Sequence, residues 1–220
     1  MGYILNFSSI WRNFDHLLEG LGLSLLLAVA SILMGCVVGL VTAFMLQSKK
    51  HSIRNIARVY VTGIRNTPIL VLILFTYFAL PQLGLRIGKI ESFILTLTVY
   101  SGAYLAEIFR SGLVSMPKGL REAGLAIGLT EFQTRTSIII PIMFRNVLPA
   151  LGSTLISLFK DTSLAAAIAV PELTFYARKI NNESFRVVET WIVASCLYVA
   201  TCTLLAALLR ILERRLTIVR

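Results

Sequence analysis

Long apolar runs alternate with short charged segments along this chain. Gly20 to Ser48, Asn66 to Leu85 and Thr190 to Leu209 hold no Asp, Glu, Lys or Arg. Crossing a bilayer takes about 20 apolar residues. These runs therefore predict spans near 21–46, 66–85 and 190–209. Two more runs hold charge inside them. Ser92 to Phe109 carries Glu107, and the run from about Val147 carries Lys160-Asp161, which predicts spans over 92–109 and 147–169. The pattern is that of an all-α membrane protein with five transmembrane helices, one domain over 1–220. Strand alternation, internal repeats and low-complexity tracts are not evident.

Composition supports that reading. Hydrophobic residues make up 56% and charged residues 15%, with mean hydropathy +0.80. About a quarter of the residues of a soluble domain are charged. No cleavable signal is expected, because the first 19 residues carry Arg12, Asp15 and Glu19 and lack a small-residue cleavage site. The net charge of +10 raises the question of nucleic acid. However, the basic residues cluster at the ends of apolar runs, where they set topology. Segments 49–65, 110–145 and 210–220 carry fourteen Lys and Arg on one side, against seven on the other. The richer side is expected to be cytoplasmic. The N-terminus is then outside, the C-terminus is cytoplasmic, and the loop over 117–146 between spans 3 and 4 is cytoplasmic.

That loop has its own local signals. Pro117 suits a first helical position. Gly128 suits a left-handed helix end. Thr130 and Gln133 form a Thr-x-x-Gln capping box. Pro141 is expected to end or kink the second helix. The segment thus predicts two short helices with a break, either a plain loop or a docking element.

Ionisable residues inside spans point to chemistry, since a central charge costs roughly 2.5–3.5 kcal/mol or more. Lys160 and Asp161 are adjacent, so on a helix they diverge by about 100° and do not neutralise each other side by side. A zwitterionic ligand would satisfy both, and Thr162 and Ser163 add hydroxyls. Solvation at a span end is the plainer reading. Tyr100, Tyr104 and Glu107 share one helix face, and Arg110 is placed to pair with Glu107. Gly35 and Gly39 allow close approach of another helix. Cys36, Cys196 and Cys202 fit neither a metal site nor a disulfide framework. A Gly-x-x-x-x-Gly-Lys phosphate loop, a His/Cys cluster and a nucleophile signature are all missing from the sequence. No catalytic residue and no metal ligand is therefore assigned. An intramembrane enzyme or an ATP-independent channel subunit remains the alternative class.

Glu122-Ala123-Gly124, then Gly128-Leu129, then Ile138-x-Ile140-Pro141 resembles the EAA loop of ABC importer permeases, with Gly124 where that pattern has Ala and Ile140 where it has Leu. Arg65-Asn66-Thr67-Pro68, Ser101 to Gly112 and Lys160 to Leu164 resemble further motifs of the polar amino-acid (histidine/glutamine/glutamate-type) permeases. The resemblance covers about residues 17–215. It implies a bacterial inner-membrane subunit of a type I importer for polar amino acids. The implied partners are a second permease subunit, a pair of ATP-binding subunits and an external substrate-binding protein. ATP and Mg would be held by the ATPase, leaving this chain without a cofactor. Glu122, Ala123, Gly124, Gly128, Leu129 and Pro141 would couple to the ATPase. Lys160, Asp161, Thr162, Ser163, Tyr100, Tyr104 and Glu107 would line the ligand path.

Overall fold

A computed structural model describes residues 4–216, and no strand occurs among them. Arg220 and the side chain of Lys118, both on the basic side of the charge count, lie outside what is described. A short α1 (Ser8–Arg12) leads into α2 (Phe14–Leu46), a 33-residue helix containing the first predicted span. The third and fifth predicted spans lie within α5 (Lys89–Val114) and α10 (Val187–Leu216). Among the described residues, four helices are long and apolar enough to cross a membrane. A bent pair makes a possible fifth. The chain is a multi-pass membrane protein.

The second predicted span falls on the second member of that bent pair. Residues 66–85 do not form one straight helix. Instead α3 (His51–Arg65) and the helical segment beginning with α4 (Ile69–Leu74) meet at 102°. Pro68 explains the break, since it disfavours helical backbone at Thr67 and lacks an N–H of its own. At 15 residues, Ile69–Leu83 is short of the roughly 20 that a straight crossing takes, and with α3 it forms either a broken span or a re-entrant loop. A π turn over Phe75–Ala79 and a tight turn over Leu80–Leu83 close the segment.

The fourth predicted span lies at the end of a longer helix, which runs from α7 (Glu131–Thr134) through a π turn at Arg135–Ile139 into α8 (Ile140–Asp161) and a 3₁₀ segment, Thr162–Ile168. Pro141 neither ends this helix nor separates a second short helix from the span. It stands in the first turn of α8, where the widened turn shifts the Ile140 N–H onto the Arg135 carbonyl and relieves the ring clash. The mixed-charge segment between the fourth and fifth predicted spans folds as α9 (Leu173–Ser184), with Leu173, Ala177 and Ile180 buried.

Lipid tails are as apolar as leucine, so these helices are held by close packing more than by exclusion of water. The α2–α5 contact shows this. A Cβ on Gly39 would stand 2.8 Å from the Leu105 Cβ, and one on Gly35 would overlap the Ser101 hydroxyl. Leu27, Ile73, Phe93 and Leu158 join α2, α4, α5 and α8 in one cluster. Ala43, Phe109, Met143 and Val147 join α2, α5 and α8 in a second. Leu17, Leu173, Ala177 and Ala194 pack α9 between α2 and α10. Along α10, Val199 and Leu204 face outward.

Candidate functional site

The loop between α5 and α8 is built by local rules. It opens with α6 (Lys118–Ala126), and Pro117 sits one position earlier than expected, as an extended N-cap with ψ 134°. The helix closes on Gly128 at φ +86°. The Gly128 N–H donates to the Leu125 carbonyl at 3.0 Å, and the Leu129 N–H to the Gly124 carbonyl at 3.1 Å. This pair of bonds is the Schellman closure that needs a left-handed residue. The capping box forms as expected: the Gln133 N–H reaches Thr130 Oγ1 at 3.2 Å, and the Thr130 N–H reaches Gln133 Oε1 at 2.9 Å.

Two contacts then stiffen the elbow. Arg121 on α6 pairs with Glu131 on α7. Gly124 lies against Thr134, where a Cβ would come within 2.7 Å of the threonine methyl. The glycine that departs from the Glu-Ala-Ala pattern is thus the residue this close crossing requires. Gly124 is buried and Leu129 half-buried, so both face the elbow's interior, whereas Glu122, Ala123, Gly128 and Pro141 are exposed. Apolar residues crown the tip. Ile127 is 75% exposed and Phe132 74% exposed, with Leu125 beside them.

The second candidate site lies along α5. Tyr100 donates its hydroxyl to Tyr104 at 3.2 Å, and their ring centroids stand 4.7 Å apart. The Arg65 guanidinium covers the Tyr104 ring from the end of α3, at 5.1 Å. Asp161 is within electrostatic reach of Tyr100. Tyr100 and Leu164 also pack on the same buried cluster, so the end of α8 adjoins this part of α5. Lys160 is exposed and Asp161 half-buried. Among the described residues, neither makes a hydrogen bond or ion pair. Thr162 is buried and donates its hydroxyl to the Phe159 carbonyl at 2.7 Å, which leaves it only as an acceptor. Ser163 is half-buried beside it.

Glu107 goes elsewhere. Arg110 Nε and Nη2 hold its Oε2 at 2.9 and 2.7 Å, the pairing expected from their spacing. Both face Arg54 and Arg58 across a cleft of about 260 Å³ between α3 and α5. The structure therefore joins Tyr100, Tyr104 and Asp161 and sets Glu107 apart in a cationic neighbourhood.

Three positions escape sequence reasoning. Arg65 belongs to a quoted motif, but its stacking on Tyr104 has no local signal. Lys89 Nζ donates to the Ala169 carbonyl at 2.6 Å, bracing a non-glycine residue at φ +56°. Glu172 is fully buried and caps α9 by accepting the Thr174 and Phe175 N–H groups at 2.9 and 2.8 Å. It also accepts from the Tyr198 hydroxyl at 3.1 Å and the Ser24 hydroxyl at 3.3 Å. Desolvation pushes its carboxyl up to about 7, although these four bonds pull the other way.

Over residues 35–218 the chain matches the family described as binding-protein-dependent transport system inner membrane component. It is 39% identical to the glutamine transport system permease protein GlnP of Escherichia coli (strain K12), covering 97% of this chain and 98% of that protein. It is 34% identical to the L-cystine transport system permease protein TcyB of Bacillus subtilis (strain 168), over 98% of this chain and 93% of that one. The fold is similar to a chain in the crystal structure of an amino acid ABC transporter with histidines. That match has a TM-score of 0.87 at 31% identity and covers 97% of this chain and 100% of the other. A chain of the MetNI methionine ABC transporter in an inward-facing conformation shares the fold at TM-score 0.80 and 21% identity, over 94% of this chain and 99% of that one. With its apolar helices and its Glu-Ala-Gly elbow, this chain belongs to the binding-protein-dependent transport system inner membrane component family.

Proposed function

We propose that this chain is the permease subunit of an ATP-driven type I importer for a polar amino acid, in a bacterial inner membrane. Two such subunits, identical or sister chains, form the path. The elbow built by α6 and α7 faces the cytoplasm, a placement supported by the excess of basic residues on that side. A separate ATPase pair binds ATP and Mg and grips the elbow, while an external binding protein delivers the ligand. The N-terminus then lies outside and the C-terminus inside.

The observation that carries this reading is the stiffened elbow with its uncovered apolar tip. The turn at Gly128, the capping box and the Arg121–Glu131 pair fix α6 on α7, and α7 continues through the π turn into α8. A push on Ile127 and Phe132 is transmitted to the helix that ends at Asp161. A polar amino acid has one carboxylate and one ammonium. Lys160 and Asp161 complement both, with Arg65, Tyr100, Tyr104, Thr162 and Ser163 completing the path and Glu107 lower on the same face. ATP hydrolysis belongs to the partner, and this chain supplies neither catalytic group nor cofactor.

The test is uptake by proteoliposomes containing the permease, its ATPase and its binding protein, with a panel of labelled amino acids. ATP-dependent accumulation of at least one polar amino acid is expected. Equal flux without ATP would indicate a channel, and chemical conversion by the purified chain would indicate an enzyme.

A further inference from the structure

Below the ends of α2 and α5 lies a cavity of about 680 Å³ that the transport reading does not use. It is lined by Gln47, Lys49, Arg121, Glu131, Arg135 and Ile139, among others. Arg121 pairs with Glu131, Arg135 Nε lies 4.0 Å from the same carboxylate, and Lys49 is within its electrostatic reach. Three cations thus face the Glu131 carboxylate, with Glu122 also within reach of Arg121, which leaves about one positive charge uncompensated, on the Lys49 and Arg135 side. Beside it runs an open groove of about 410 Å³, lined by Val41, Met45, Ile53, Phe132 and Ile140. The two spaces share Phe44, Ser48 and Arg135. Arg135 sits at the seam, its guanidinium carbon 5.6 Å from the Phe44 ring centroid.

We propose that this joined pocket and groove bind one anionic phospholipid. The phosphodiester lies against Lys49 and Arg135, and an acyl chain lies along Val41, Met45 and Ile140. A free phosphate would satisfy the cations but leave the groove empty. A neutral lipid would fill the groove but leave the cations uncompensated. A molecule with one anionic end and one apolar end matches both halves at their observed junction. Its depth fits as well. The pocket opens where two long apolar helices end, which is the level of the headgroups. Because Arg121, Glu131 and Arg135 belong to the elbow, the bound lipid braces α6 and α7 against the end of α2. Lipid binding here is independent of which solute is carried.

The test is native mass spectrometry of the assembled permease–ATPase complex in detergent, titrated with phosphatidylglycerol or with phosphatidylcholine of the same chains. Phosphatidylglycerol should bind at least about tenfold more tightly, since each basic residue near an anionic headgroup strengthens its binding severalfold. In the Lys49→Gln/Arg135→Gln variant its affinity should fall by about thirtyfold, the effect of two such charges, while phosphatidylcholine binding stays unchanged. Lys49→Gln alone, at an exposed position, should give an intermediate loss with the fold intact. Glycerophosphoglycerol, the same headgroup without chains, should not compete at matched concentration. Equal binding of the two lipids, or full retention of phosphatidylglycerol by the double variant, would overturn the proposal. So would competition by the chainless headgroup, which would make this a small-anion site. Binding to the isolated permease that vanishes once the ATPase is assembled would instead assign the pocket to the ATPase contact.

Discussion

Arg65 at the end of α3 holds its guanidinium 5.1 Å above the Tyr104 ring at the middle of α5. The contact sits immediately before the 102° break and ties the bent segment to the helix behind it. Tyr60 makes a second tie one turn earlier, its hydroxyl donating to the Val99 carbonyl at 2.6 Å. A cation over an aromatic face contributes about 0.5–2 kcal/mol, and the planar guanidinium stacks where an ammonium does not. Arg65→Lys should therefore keep the charge and insert normally, yet reduce uptake by about two- to thirtyfold. Tyr104→Phe keeps the ring and should retain most of the activity. Wild-type rates in reconstituted Arg65→Lys would remove this contact from the transport path.

Gly128 tests the elbow. At φ +86° a β-branched side chain meets its own backbone, at a cost of about 1–2 kcal/mol or more. Gly128→Val should unwind the closure of α6 without touching a span. Membrane insertion and permease level should stay at wild type, while ATPase stimulation by the loaded binding protein drops about tenfold or more, as follows from losing the docked geometry. Glu122→Trp, on the exposed face, should uncouple in the same way. Full stimulation in either variant would count against docking at this loop.

What the sequence discloses depends on how local each feature is. The Gly128 turn and the Thr130–Gln133 box are legible because every bond joins residues within five positions. The Gly35–Gly39 stripe is half legible: small residues four apart allow close approach, but only α5 packed against them separates this from an incidental pair. The α3–α4 break is half legible. Thr67-Pro68 marks it, but α3 carries Arg54, Arg58 and Arg65 and reads as a connecting segment until α5 is seen packed against it. Pro141 misleads because the π turn that accommodates it has no sequence signature. Glu172 is invisible for two reasons. Glutamate is not a favoured N-cap residue, and its partners Ser24 and Tyr198 lie 148 and 26 positions away.

Asp161 carries the ligand assignment. Its half-buried carboxylate has no ion pair among the described residues, so an ammonium group delivered between the spans would be its partner. Asp161→Asn keeps the shape and removes the charge. A charge-assisted hydrogen bond contributes about 1.5–3 kcal/mol, so apparent affinity for zwitterionic or cationic amino acids should fall by roughly ten- to a hundredfold. The ATPase should still assemble and hydrolyse ATP. Unchanged rate and selectivity in the uptake assay would reject the assignment.

Glu172 bolts α9 to α2 and α10 through Ser24 and Tyr198, and burial raises its carboxyl from 4.5 to about 7. The folded state therefore binds this proton more tightly than the unfolded state. The stabilisation is complete below about pH 4.5 and is lost as pH rises through about 7. A tenfold difference in proton affinity corresponds to about 1.4 kcal/mol, so the loss across that window is at most roughly 3 kcal/mol, reduced by whatever water reaches the site. Hydrogen exchange of the α9 amides, followed from pH 5 to pH 8 with the intrinsic rate divided out, should show protection falling as pH rises. Glu172→Gln keeps an acceptor for the Thr174 and Phe175 N–H groups but cannot ionise, so its protection should be flat across the same window. If wild type and Glu172→Gln showed the same pH profile, the carboxyl would not be the titrating group that governs how α9 is held.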